Sequence, residues 1–204
     1  MNIGVFGGTF DPVHRGHIAA AQKVKSVLGL ETIFFVPAGQ PWLKADVPIS
    51  SARHRVEMVR LAIAGKRYFQ VSTTEVDRPG PSFTVDTIDI LQRQLGAGAK
   101  LSFILGSDVL SDLPRWKEPS RLIQICQLVA FTRPGFAPPP LEWLESCITG
   151  VSRHVTFVEV PQVNVSASDI RRRVAQGASI RRMVPGAVEK YILDHRLYIS
   201  PGVV

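Results

Sequence analysis

The chain has 204 residues, 45% of them hydrophobic, punctuated by 16 glycines and 15 prolines, a composition that suits one compact domain with a full core and leaves no room for a second large one. No apolar run approaches the roughly 20 residues needed to span a bilayer, and the first residues lack the charged flank and cleavage pattern of a signal peptide, so a cytoplasmic protein with no membrane partner is expected. A net charge of +7 with a pI near 9.8 fits nucleic acid or a pocket for polyphosphate substrates equally well, so charge alone does not decide between them.

Residues 3–6 read as a buried strand that breaks into Gly7 and Gly8, whose bare backbone N–H groups leave room for a phosphate. Asp11-Pro12 supplies a turn. From Gly16 the apolar residues Ile18, Ala21, Val24, Val27 and Leu28 recur at helical spacing, which predicts a helix over 16–28 with His14 and His17 at its positive end, able to donate hydrogen bonds to phosphate oxygens. Further strands are predicted over 32–36, 69–71, 101–105, 128–131 and 155–160. Helices fall between most of them, over 51–64 (Ser50 or Ser51 as cap), 84–95, near 119–124, 167–175 and 185–194. This alternation argues for βαβ units and an α/β, doubly wound, mostly parallel Rossmann-like sheet.

In such a sheet ligands bind beyond the carboxyl ends of the strands, where Gly7-Gly8, Pro37-Ala38-Gly39 and Gly106-Ser107-Asp108 all fall. The proline-rich stretch 133–140 reads as a loop leading into an ill-defined segment up to Gly150, where variability or mobility is expected. From about residue 163 onward the chain reads as a helical extension packed on the sheet, too short to bury a core of its own. Cys126 and Cys147 make no disulfide framework and are expected to be reduced, Cys126 as a buried strand residue.

Several chemistries compete for these residues. The glycines do not follow the dinucleotide spacing GxGxxG, and no GxxxxGK[ST] phosphate loop occurs. Two histidines three residues apart suit zinc only with a third ligand, and none lies at a recognisable spacing, so no metal held by protein side chains is expected. The basic clusters Arg171-Arg172-Arg173 and Arg181-Arg182 lack the interleaved aromatics of a single-strand platform, so nucleic acid is not expected as the partner. Ser166, Ser168 and Arg171 sit where a strand gives way to a helix, either as a second anion site or as an ordinary serine cap with solvated arginines.

GGTFDPVHRGH, residues 7–17, resembles the (H/T)xGH signature of the nucleotidyltransferase superfamily, in the GGxFDPxHxGH form typical of bacterial nicotinate-mononucleotide adenylyltransferases. Later segments carry the same resemblance. Residues 165–171 are similar to the family's ISxTxIR element, with Ser168 in place of threonine; Gly106-Ser107-Asp108 followed by Trp116 resembles its G(A/S)D…L…W stretch; and Ser82-Phe83-Thr84-Val85-Asp86-Thr87 resembles SYT(I/V)DT.

The resemblance implies ATP contacts from Gly7, Gly8, Thr9, Phe10, His14, Gly16, His17, Gly106, Asp108, Ser166, Ser168 and Arg171. It implies nicotinate mononucleotide contacts from Phe83, Thr84 and Trp116, with Trp116 near the pyridine ring. Lys44 matches the lysine of the family's PPHK element, although Trp42-Leu43 replaces Pro-His, and it is assigned a phosphate role; Arg133, read from its place after a strand and before Pro-Gly, is either a cation for the nicotinate carboxylate or a phosphate, or a solvated strand-end arginine. His14, His17, Lys44 and Arg171 would carry catalysis, with Mg²⁺ accompanying ATP. The implied reaction is attack of the mononucleotide phosphate on the α-phosphorus of ATP.

Nicotinamide mononucleotide and phosphopantetheine stand as alternative acceptors, and a non-enzymatic basic RNA-binding protein as a distant one. A homo-oligomer is left open. A synthetase fragment would need a KMSKS-like loop, which the chain lacks.

Overall fold

A computed structural model describes residues 1–42, 48–132 and 137–199. Six strands, β1 (Asn2–Gly8), β2 (Thr32–Pro37), β3 (Phe69–Val71), β4 (Lys100–Gly106), β5 (Gln127–Thr132) and β6 (Val155–Glu159), form one sheet in the order β3-β2-β1-β4-β5-β6. All five pairings are parallel, so the mostly parallel sheet expected from the alternation of elements is wholly so. Winding reverses between β1 and β4, and a crevice opens at the carboxyl ends of those two strands.

Both faces of the sheet are covered, and the strand sequences say why. Ile3 and Val5 enter one core while Phe6 enters the other; Leu128 and Ala130 oppose Val129 and Phe131 in the same way, as the two-residue period of a strand requires. The core that receives Phe6 takes α1 (Arg15–Leu28), α2 (Ala52–Ile63), α6 (Ala167–Ala175) and α7 (Gly186–Asp194). The core that receives Ile3 and Val5 takes α3 (Thr84–Leu95), α4 (Pro119–Ile125), α5 (Leu141–Cys147) and a 3-10 turn over Ser107–Arg115. Chain-local signals set the helix ends: Ser51, rather than Ser50, caps α2 by accepting from the His54 N–H, and Gly29 stops α1 with a left-handed φ of 60°.

Three expectations are corrected. β1 runs on through Gly7 and Gly8, which pair with Val36 and Pro37; the chain turns only afterwards, at Phe10 with φ 51°. A Cβ on Gly7 would lie 2.8 Å from the Phe103 ring and one on Gly8 2.9 Å from the Phe10 ring, so these glycines make room for aromatic packing as well as for a ligand. The segment leading to Gly150 holds the helix α5, anchored by the fully buried Leu144, with Ile148 and Val151 buried beyond it. Cys126 is buried, but in the turn between α4 and β5 rather than in a strand.

Candidate active site

Two cavities open at the carboxyl ends of β1 and β4, and the stretch Gly7-Gly8-Thr9 forms part of the wall of both. The wider, about 410 Å³, is completed by Phe10, Asp11 and His17 after β1, by Gly106 and Asp108 after β4, and by Ser168 and Arg171 at the start of α6. The narrower, about 160 Å³, is aromatic: Trp42, Phe103 and Trp116 face Ser82, Thr84 and Glu75. One is lined by backbone, imidazole and guanidinium donors suited to an anion, and the other by ring faces suited to a flat heterocycle.

His17 is held from several sides. Its Nδ1 accepts the backbone N–H of His14 at 3.2 Å, which leaves the ring hydrogen of a neutral imidazole on Nε2. Phe6 and Phe10 pack edge-on against it at 6.0 and 5.1 Å, and the His14 ring stacks on it at 3.7 Å. His14 faces a small adjoining cavity of about 50 Å³, shared with Gly16 and His17. Gly16 has little freedom to change, since a Cβ there would sit 3.1 Å from the His14 ring.

Arg171 reaches from α6 to donate to the backbone oxygen of Asp11 at 2.7 Å, tying the far helix to the β1–α1 loop. Ser168 lines the wider cavity, whereas Ser166 lines neither main cavity and accepts the Asp169 N–H at 3.1 Å as the cap of α6. Arg172 and Arg173 pair with Asp169 instead of facing the crevice.

In the narrower cavity Thr84 is the first residue of α3 rather than its cap, which is Phe83. Phe83 stands behind the wall, 6.1 Å from the Trp42 ring, with Lys117 over its own face at 5.2 Å. Trp116 meets Phe103 edge-on at 5.9 Å, and its buried indole N–H has no hydrogen-bond partner among the described residues. Lys44 and Arg133 lie outside the described residues.

Four residues were missed by sequence reasoning. Arg55, 1% exposed, donates to the backbone oxygens of Ser50, Thr9 and Gly39 at 2.9, 3.0 and 3.3 Å, and burial lowers its proton affinity. Its signal was present: it lies three and four positions before Met58 and Val59, on the apolar stripe of α2. Glu75 is buried against the narrower cavity, accepts the Thr87 hydroxyl at 2.8 Å, and is pushed above the usual carboxylate range by that burial. Its backbone oxygen comes so close to Gly39 that a Cβ there would lie at 2.1 Å. Asp11, a turn residue by its sequence context, is 2% exposed and accepts both the Tyr198 hydroxyl and the Ser50 N–H. No local pattern marked Glu75, Asp11 or Tyr198, because their partners are distant in sequence.

A Rossmann-like sheet with an anion-suited cavity behind an HxGH turn defines a nucleotidyltransferase, and the chain belongs to the cytidylyltransferase-like family, whose model matches residues 5–173. Within that class it belongs with the nicotinate-nucleotide adenylyltransferases. Relatives named "probable nicotinate-nucleotide adenylyltransferase" from Dehalococcoides mccartyi and Thermomicrobium roseum are 45% and 43% identical, over 97% and 96% of this chain and 97% and 91% of theirs. The fold is also that of a solved Plasmodium falciparum nicotinic acid mononucleotide adenylyltransferase complexed with NaAD, with a TM-score of 0.77 at 19% identity over 97% of each chain.

Proposed function

We propose that the protein transfers the adenylyl group of ATP to nicotinate mononucleotide, forming deamido-NAD and pyrophosphate. The observation that carries this reading is the pair of cavities sharing Gly7-Gly8-Thr9 as a common wall, which suits two substrates whose phosphates must meet. A mononucleotide phosphate oxygen forms the new bond to the α-phosphorus of ATP, the bond to the bridging β-phosphate oxygen breaks, and pyrophosphate leaves with the electron pair. The nucleophile is already an anion and needs no general base, so catalysis reduces to positioning and to donors aimed at developing charge.

His17 and Arg171 serve as those donors on the triphosphate side, with Ser168 and the backbone of Gly8 and Thr9 around the same phosphates; His14 supports His17 by stacking. Trp116 and Thr84 receive the pyridine end. Mg²⁺ accompanying ATP would supply neutralisation of phosphate charge, while His17, Ser168 and Arg171 of the wider cavity would meet the phosphates themselves; among the described residues there is no group of three His, Cys, Asp or Glu that could hold an ion. The excess of positive charge serves these anionic substrates, in a single cytoplasmic domain that needs no nucleic acid.

Pyrophosphate release from ATP, measured in parallel with nicotinate mononucleotide, nicotinamide mononucleotide and phosphopantetheine, tests the reading. Nicotinate mononucleotide should be the best acceptor; if it gives no product while another acceptor does, the assignment fails. His17→Ala should lower kcat on the order of a hundredfold, as loss of a transition-state donor does.

A further inference from the structure

After α7 the chain reverses towards the crevice. Arg196 and Tyr198 both take left-handed backbone conformations, φ 49° and 66°, which bulky L residues hold only when their surroundings compel it. The Arg196 and Leu197 N–H groups close the end of α7 on the oxygens of Leu193 and Ile192 at 3.1 and 3.0 Å. The reversal delivers the Tyr198 hydroxyl to Asp11, to whose Oδ1 it donates at 2.7 Å, with the Met58 sulfur 3.8 Å away.

Asp11 is bound on every side. Its Oδ2 accepts the Ser50 N–H at 3.1 Å, and its backbone oxygen accepts Arg171 at 2.7 Å. Four segments thus meet at one residue: the β1–α1 loop, the stretch before α2, the start of α6, and the turn after α7. Asp11 is itself a wall residue of the wider cavity, next to Phe10 and Thr9, and Arg171 is another. Burial and the neighbouring Asp11 carboxylate push the Tyr198 hydroxyl well above its ordinary value, so it stays protonated and remains the donor.

We propose that Tyr198 is a positioning residue for adenylyl transfer: its hydroxyl fixes Asp11, and through Asp11 the orientation of the phosphate-facing loop and of Arg171. The proposal rests on the adenylyl-transfer reading above. Tyr198 lines neither cavity, and its hydroxyl meets Asp11 and Met58 rather than any residue of the narrower one. Its removal is therefore expected to act on the transfer step and on ATP, not on the mononucleotide.

The test is Tyr198→Phe, which keeps the ring and its packing and removes only the donor. We expect kcat to fall about tenfold or more, since a small misplacement of reacting groups is costly. KM for nicotinate mononucleotide should stay within about twofold and the far-UV circular dichroism should be unchanged. In a double-mutant cycle with Asp11→Ala, which removes the acceptor, adding Tyr198→Phe should change little further, because the link it breaks is already gone.

A Tyr198→Phe enzyme with wild-type kcat overturns the proposal. So does a variant in which kcat and both KM values worsen in step with a large drop in melting temperature, the mark of general loosening. Wild-type protein that releases no pyrophosphate with any acceptor overturns the reading beneath it as well, whereas wild-type turnover beside an unaffected variant removes the role of Tyr198 alone.

Discussion

Replacing Arg55 with methionine removes the guanidinium that joins three carbonyl groups lying far apart in sequence, while keeping most of the apolar stem that fits the stripe of α2. Each bond from a charged donor contributes about 1.5–3 kcal/mol when judged by truncation, and the three oxygens of Thr9, Gly39 and Ser50 would be left without it. Against this stands the cost of keeping a guanidinium out of water, visible in its lowered proton affinity, which methionine does not incur. The balance is a loss of about 3 kcal/mol. For a chain of this length that corresponds to a fall in Tm of roughly 6–12 °C, readable by thermal and urea unfolding. Arg55→Lys should recover only part, since a single ammonium cannot meet three divergent acceptors. A methionine variant melting within about 2 °C of wild type would refute the idea that this cation ties the loops of the crevice together.

Trp116→Phe keeps an aromatic face and deletes the buried indole N–H, so KM for nicotinate mononucleotide should rise roughly two- to tenfold while KM for ATP stays put; steady-state kinetics varying each substrate will separate them. Glu75 has its carboxyl raised above the ordinary 4.5, so its contribution to stability is fully present below that value and is lost as pH rises through the higher folded value. Wild type should therefore lose stability relative to Glu75→Gln in urea unfolding as the pH is raised above the ordinary 4.5, and a difference independent of pH would contradict a buried, neutral-preferring carboxyl. Burial pushes the Cys126 thiol up to about 12 while Cys147 is exposed, so a thiol reagent near neutral pH should modify one cysteine rapidly and the second only on unfolding; two fast thiols would argue against the packing described for Cys126.

Much of the fold was legible because its signals are local. Helix α6 was predicted at the residues it occupies, since Ser166 caps it and Ile170 and Val174 supply the buried spacing. Helix α5 was missed although Leu141, Leu144 and Ile148 keep a helical interval, because the prolines ahead of it read as loop and its exposed Trp143 blurs the stripe. β1 was cut short because glycine normally weakens a strand, whereas here the rings of Phe103 and Phe10 fill the space a side chain would need. Both contacts are long-range or depend on the turn, and neither can be read from a window of neighbouring residues.

At the site the division is the same. The sequence by itself determined the HxGH turn, the serine and arginine of α6, the tryptophan after β4 and the strand ends that converge, because each is a residue type placed at a fixed offset from a predicted strand or helix. Only the tertiary structure decided that Ser166 caps while Ser168 lines the cavity, and that Phe83 stands behind Trp42. It also brought Arg55, Glu75 and Tyr198 to the crevice. Burying a charge or a phenol requires partners, and parallel strands joined by crossover helices draw those partners from distant parts of the chain, as the 187 positions between Asp11 and Tyr198 illustrate.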